Sequence, residues 1–231
     1  MKIGDIDLAW HGHDSFCIRA MEKLIYIDPY KLPNNAEKAD LILITHTHYD
    51  HCSIPDIEKI AKDNTIIVIP PDGQSAITKL KKKVEIQIIE ANDGREILGM
   101  RIATIPAYNI KKPFHPKEEG WLGYLIKIQN TLIYHAGDSD LTPEMKQLSK
   151  YRAVCRDFIA LLPIGGTYTM NAGEAFEAVF NIKPTLAIPM HYGTIVGTIQ
   201  DAQQFKQLCE KQGIRAVILE RNIKVISANP H

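Results

Sequence analysis

The sequence predicts an α/β fold of two packed β-sheets with helices on their outer faces, and three observations carry that reading. Residues 41–45 and 65–70 are short, almost wholly apolar runs, the pattern of strands buried on both faces. Strand-like segments first follow one another and then alternate with helix-like segments, and this happens in both halves of the chain. No low-complexity stretch, fixed-period repeat or Gly/Ser linker interrupts the 231 residues, so residues 1–231 read as a single domain.

Taken in order, residues 7–19 and 23–28 are expected as strands of an antiparallel sheet, followed by the buried strand 41–45. Ser53-Ile54-Pro55-Asp56 places an N-cap residue, a first-turn proline and an acid three residues on, so a helix should run to about Asp63. Residues 65–70 form the next strand, 74–82 a helix and 84–89 a strand. From Met100 the apolar alternation 100–105 indicates a half-buried strand. Residues 124–128 and 132–135 flank Gln129-Asn130-Thr131 and read as a hairpin. Thr142-Pro143-Glu144 opens a helix. Strands are expected at 158–163, 185–190, 216–219 and 224–227, and helices at about 172–181 and 201–212, with Gly213 as the left-handed stop of the last helix. The segment from Ile110 to Gly120 is the one long connection, and long loops in compact domains are often functional.

Composition excludes several function classes. The 27 basic and 27 acidic residues balance, whereas a protein that neutralises many phosphates carries a basic excess or stripe. The only basic run, Lys79 with Lys81 to Lys83, falls at the expected end of a helix, where lysine is favoured by the dipole. The cysteines Cys17, Cys52, Cys155 and Cys209 form no C-x-x-C pair, so reduced thiols in a cytoplasmic protein are expected. The first ten residues lack the long apolar run of a secretory signal, and no stretch approaches the length of a membrane span.

The chemistry concentrates in Thr45-His46-Thr47-His48-Tyr49-Asp50-His51. In extended backbone, residues two apart point the same way, so His46 and His48 can grip one ion from one side. The chain then turns toward a helix, where Asp50 and His51 can face a second ion. Three histidines and an aspartate within six residues, directly after a buried strand, are hard to explain as packing, because burying so many unpaired polar groups is costly. Two further apolar strands end in metal-type residues: 132–135 leads to Gly137-Asp138, and 186–190 leads to His191. In layered α/β sheets, ligands gather beyond the carboxyl ends of strands.

The H-x-H-x-D-H string, the later Gly-Asp and the final His resemble the metallo-β-lactamase superfamily, over nearly the whole chain. The resemblance implies a four-layer αββα sandwich of the metallo-β-lactamase type, with the metal site at one edge. It implies that His46, His48, Asp50, His51, Asp138 and His191 are the metal ligands and that Asp138 bridges two ions. Asp28, in Ile25-Tyr26-Ile27-Asp28-Pro29, would support the ligand loop from behind. Trp10 to Phe16, Pro106-Ala107-Tyr108-Asn109, 135–138 and 162–168 resemble a branch of metal-dependent hydrolases. More distantly, that branch is similar to the ascorbate-6-phosphate lactonases and the phospholipase D acting on N-acylphosphatidylethanolamines.

One position departs from that pattern. The superfamily supplies a third His to the first metal from mid-chain, and here that slot holds Pro106-Ala107-Tyr108-Asn109. Asn109 matches in order. His115, in Phe114-His115-Pro116, is close enough to swing in from the loop as a ligand or substrate contact. His13 either lines the site or hydrogen-bonds to a ligand. His135 faces away from Asp138 on an extended strand and reads as a buried, hydrogen-bonded His; Cys52 reads as a buried thiol, and His231 as a terminal residue outside the site. Gly165 to Met170 reads either as an anion-holding turn or as a tight turn leading to an N-cap at Asn171, with Glu174 three residues on.

The expected function is a metal-dependent hydrolase in which two divalent cations, zinc first, with Mn or Fe as alternatives, share a hydroxide. That hydroxide attacks a phosphodiester, lactone or related ester. Asp50 and Asp138 are the candidate catalytic residues. The rival readings are a metal-binding protein without hydrolytic activity and a di-iron redox protein. The expected partner is a small-molecule substrate, with no nucleic acid; a homo-oligomer stays open.

Overall fold

The computed structural model describes residues 1–222. Its first sheet runs in sequence order: β1 (Lys2–Ile3), β2 (Ile6–Gly12), β3 (Ser15–Ala20), β4 (Lys23–Ile27), β5 (Leu41–Leu43), β6 (Ile66–Ile69) and β7 (Glu85–Ile88). The strands from β1 to β4 pair antiparallel, and those from β4 to β7 pair parallel. The second sheet repeats the scheme. β8 (Gly94–Ile97), β9 (Met100–Pro106), β10 (Leu122–Ile128) and β11 (Thr131–His135) are antiparallel neighbours. β12 (Asp157–Pro163) and β13 (Leu186–Met190) then add on in parallel.

Strand periodicity divides the core. Leu41, Leu43 and Val68 face the second sheet and join a large cluster with Ile102, Tyr124, Ile126, Ile133 and Ile159. Ile42, Ile44, Ile67 and Ile69 point the other way, onto Ile57 and Ile60 of α1 (Ile54–Ile60) and Ile77 of α2 (Gln74–Ile77). Successive side chains of a strand alternate between faces, so an unbroken apolar run is what a strand covered on both sides requires. The outer face of the second sheet is covered by α3 (Ala172–Ile182) and α4 (Ile199–Lys211), through Ala175, Val179, Phe205 and Cys209. Helices therefore flank two packed sheets, as the sequence predicts.

Several elements differ in extent. α1 starts from Ser53, whose side chain accepts from the Asp56 N–H, but it stops at Ala61, ahead of a turn with Asn64 at φ 68°. The helix expected over 74–82 is only one turn of α-helix after a 3-10 turn at Pro71–Gly73. Extending it would line up Lys79 and Lys81 to Lys83, and like charges one turn apart oppose a helix that is already too short to hold itself. The lysine run therefore lies in an irregular turn, not on a helix end. Pro143–Ala153 forms 3-10 turns, not an α-helix; its buried residues Met145 and Leu148 are three apart, the 3-10 repeat. The segment expected as a strand at 216–219 makes one parallel bridge, Ala216 to Ala187 at the edge of β13. The expected strand 224–227 and His231 lie outside the described residues. β1 and β8 are too short to show a period in sequence.

Candidate metal centre

Strand ends deliver the site. β5 runs into the loop carrying His46, His48, Asp50 and His51; β11 leads through Ala136-Gly137 to Asp138; β13 ends one residue before His191. Gly137 has φ 60°, and a Cβ there would stand 2.7 Å from the Leu122 carbonyl oxygen, so only glycine lets β11 turn Asp138 into the site. Three non-glycine residues of the site also adopt positive φ: His13 (53°), Asp28 (44°) and His191 (58°). Such conformations cost energy and persist where the surroundings over-determine them.

The donors fall into two groups. Ring nitrogens of His46, His48 and His115 lie within 4.8 Å of one another, and so do donor atoms of His13, Asp50, His51 and His191. Asp138 stands between them. Its Oδ2 is 3.1 Å from His115 Nε2 in the first group and 3.1 Å from His191 Nε2 in the second, while Oδ1 is 3.5 Å from His51 Nε2. The mid-chain pattern lacks a His, and it is His115 of the long loop that stands beside His46 and His48.

Asn109 does not join either group. It closes the loop instead: its backbone N–H donates to the His115 carbonyl at 2.7 Å, and its Oδ1 accepts from the His115 N–H at 3.1 Å. The same Oδ1 lies 3.1 Å from His115 Nδ1, and Asn109 Nδ2 donates to the Tyr168 carbonyl at 2.9 Å. A hydrogen bond from Nδ1 leaves the His115 Nε2 lone pair bare. The loop start is pinned by Asp140, which accepts from the Ile110 N–H and pairs with Lys112.

The same logic fixes the other rings. Asp28 Oδ1 accepts from the Thr45 N–H at 2.8 Å, and its Oδ2 accepts from Thr45 Oγ1 at 2.6 Å and from His51 Nδ1 at 2.9 Å. Thr45 Oγ1, having donated to Asp28, accepts from His46 Nδ1 at 2.9 Å. His46 and His51 therefore both turn Nε2 inward, and His46 Nε2 lies 3.1 Å from His48 Nδ1. Asp28 sits behind the ligand loop, as the resemblance implies.

Electrostatics agree with this arrangement. Burial pushes His13 down to about 4, so it is neutral at pH 7 and donates from Nε2 to Asp50 Oδ2 at 2.9 Å. Burial opposes ionisation of Asp50, but the His13 hydrogen bond and the His51 charge outweigh it and hold the carboxyl at about 2. Burial likewise opposes ionisation of Asp138, and the His191 and His51 charges hold it well below the usual carboxylate range. Burial would lower His51, yet Asp138 and Asp28 raise it well above an ordinary histidine. Burial leads the lowering of His46, reinforced by the His51 charge.

Do these residues fit a pair of cations? Among the described residues, His51 Nε2, His115 Nε2 and Asp138 Oδ1 are buried without a hydrogen-bond partner. Buried polar atoms are nearly always paired, and so many converging bare donors of the imidazole and carboxylate type suit divalent transition metals. Three nitrogens with a shared carboxylate is a common zinc donor set.

The remaining sequence-level candidates resolve as follows. His135 is fully buried and bonded on both sides, to the Asp14 carbonyl and by the Gly137 N–H. Cys52 is buried and absent from both donor groups, its thiol pushed up to about 12 by burial. The Gly165 turn spends its N–H groups internally, Gly166 to Met170 and Thr167 to Gly165. Asn171 and Glu174 form the reciprocal cap of α3, so the tight-turn reading holds and the anion-holding one does not.

Two neighbours escaped sequence reasoning. Trp121 lays its ring against His46, His48 and His115, with centroids 4.8 to 5.5 Å away, and is anchored from Nε1 to Asp72. Only its place just after the long loop could have flagged it. Asp14 is fully buried beneath Asp138 and His191 with neither carboxylate oxygen bonded, and burial raises it well above the carboxylate range. It lies in the Trp10 to Phe16 string, but as one acid among many it carries no pattern of its own.

Comparison with known proteins agrees with the fold. Residues 7–191 match the family described as "Beta-lactamase superfamily domain". The UPF0173 metal-dependent hydrolase of Thermoplasma acidophilum is 36% identical over 230 residues, covering 94% of this chain and 96% of that protein. A solved chain from Parabacteroides distasonis superposes with a TM-score of 0.79 at 27% identity, over 93% of this chain and 94% of that one. Igni18, a metallo hydrolase from Ignicoccus hospitalis, gives a TM-score of 0.76 at 25% identity, over 94% and 95% of the two chains. With two packed sheets in place and the His46–His51 loop, Asp138 and His191 gathered at one edge, this chain belongs to the beta-lactamase superfamily and, within it, to the UPF0173 metal-dependent hydrolases.

Proposed function

We propose that this chain is a single-domain hydrolase that binds two divalent cations, zinc by preference, and cleaves an ester, lactone or phosphodiester of a small molecule. The observation that carries the reading is Asp138: one buried carboxylate reaches toward a histidine of each donor group, while buried ring nitrogens on both sides, His51 Nε2 and His115 Nε2, have no hydrogen-bond partner. His46, His48 and His115 would hold one ion and Asp50, His51 and His191 the other, with Asp138 shared. Bound cations supply the activation of a water molecule and the polarisation of the oxygen that gains charge.

The chain's own residues do the rest. Asp50 lines the cavity and stays ionised; its Oδ2 is held by His13, so the carboxylate is oriented both to hold an ion and to orient water beside it. Asp28 keeps His51 and the Thr45 backbone fixed, so the ligand loop need not reorganise when cations enter. Trp121 covers the rings of the first group and keeps bulk water from them.

Metal analysis with a panel of activated ester, lactone and phosphodiester substrates tests this. About two cations per chain, and turnover abolished by His48→Ala, is the expected result. One cation or none, with no turnover across the panel, would favour a metal-binding scaffold; iron with oxygen-dependent turnover would favour a redox protein.

A further inference from the structure

The walls of the cavity narrow the substrate class. The cavity over the donor groups holds about 210 Å³ and is lined by His48, Asp50, His115, Asp138 and His191 on its floor. Its other lining residues are Tyr49, Phe114, Tyr168 and Ile195. Among the described residues no lysine or arginine lines it. Of the lysines on the flanking segments, Lys112 pairs with Asp140 and Lys117 with Glu144, while Lys31 lies over the Tyr30 ring.

The apolar walls are built, not incidental. Phe114 packs edge-on against Tyr168 with centroids 4.7 Å apart, and Tyr49 packs edge-on against Tyr30 at 6.2 Å. Tyr49 is 69% exposed, Phe114 41% and Ile195 36%, so three large side chains face solvent around one cleft. Exposed apolar side chains gathered about a cleft, with a few convergent polar groups at its floor, mark a ligand site. A site built for phosphorylated molecules ordinarily adds arginine or lysine donors around the anion.

We propose, resting on the hydrolase reading above, that the site takes an uncharged carboxylic ester or lactone carrying an apolar acyl or aryl group. In the reaction a water oxygen bonds to the carbonyl carbon and the acyl C–O bond breaks. One water proton goes to the leaving alkoxide, and the carboxylic acid formed loses the other to solvent. The apolar group lies against Phe114, Tyr168 and Ile195.

The test uses the two-metal protein with p-nitrophenyl acetate, p-nitrophenyl octanoate and bis(p-nitrophenyl) phosphate, after subtracting the rate of His48→Ala. Octanoate should exceed acetate at least tenfold in kcat/KM, since each buried methylene is worth about fourfold until the cavity is full. Phe114→Ala should cut that preference roughly tenfold at unchanged metal content, and Phe114→Leu should restore most of it. Equal use of acetate and octanoate, or phosphodiester turnover above that of octanoate, would overturn this proposal while leaving the hydrolase reading standing. No turnover of any of the three, nor of the lactones of the panel above, would remove the hydrolase reading and this one together.

Discussion

Asn109→Ala isolates the contacts that position His115, the ligand proposed from the long loop. The side chain holds His115 through two hydrogen bonds at Oδ1, to the backbone N–H and to Nδ1, each 3.1 Å. Asn109 is 8% exposed and His115 1%, so water does not readily take over these bonds. At about 1 kcal/mol net for each bond, the variant loses about 2 kcal/mol of positioning. That corresponds to a dissociation constant for the first cation about 30-fold weaker, within the range expected when a ligand's supporting partner is removed. Competition against a chromophoric chelator should show two binding events in the wild type. In Asn109→Ala one of them should shift by about that factor while the other stays put. Asn109→Asp keeps an acceptor for both bonds to His115 but loses the donor to the Tyr168 carbonyl, so it should recover only part of the lost affinity. The double variant with His115→Ala should bind no more weakly than His115→Ala alone, because the two residues act as one unit. Unchanged affinity in Asn109→Ala would refute the claim that this residue orients a ligand.

Three further outcomes follow from the geometry. Asp28→Ala removes three acceptor contacts and leaves buried donors on Thr45 and His51 unpaired, so thermal denaturation should show a loss of roughly 3 kcal/mol or more, with weaker binding of both cations; a melting temperature equal to wild type would count against the role given to Asp28. Gly165→Ala would put a Cβ 2.7 Å from the His191 carbonyl oxygen and 2.8 Å from its Nδ1, so His191 must shift, and chelator titration should show the second cation weakened about tenfold or more; intact affinity there would show that the turn gives way instead. In the metal-free protein burial opposes protonation of His191 and His51, but the Asp138 charge leads the groups that outweigh it and raise both rings above an ordinary histidine, so they hold their protons to higher pH than a free ring. Cation uptake must displace those protons and should strengthen as pH rises; calorimetry in buffers of different ionisation enthalpy should find roughly one to two protons released per chain, and none would contradict the pairing.

Much of the site was legible because its chemistry is local. His46, His48, Asp50 and His51 occupy six consecutive positions after an apolar run, and a strand ending in a turn fixes which way they point. Asp138 and His191 were visible as metal-type residues at the ends of two more buried strands. The layered fold followed from the same runs, since Ile42 and Leu43 can both be apolar only if each face of the sheet is covered. Helix lengths were less legible. At Lys79 to Lys83 and at 143–153 the start signals were present, but charge repulsion and a three-residue packing period decided how the backbone continued.

The sequence by itself therefore determined the buried strand segments, the covered faces and the metal-type residues that sit at strand ends, because those depend on periods of two to four residues. Which donors stand together was decided by tertiary structure alone. His115 joins His46 and His48 because Asn109 folds its loop back, Asp138 stands between the groups because two sheets meet at that edge, and Tyr49, Phe114, Tyr168 and Ile195 become one wall only when distant loops converge. Contacts between residues far apart in the chain leave no period in a sequence for local reasoning to read.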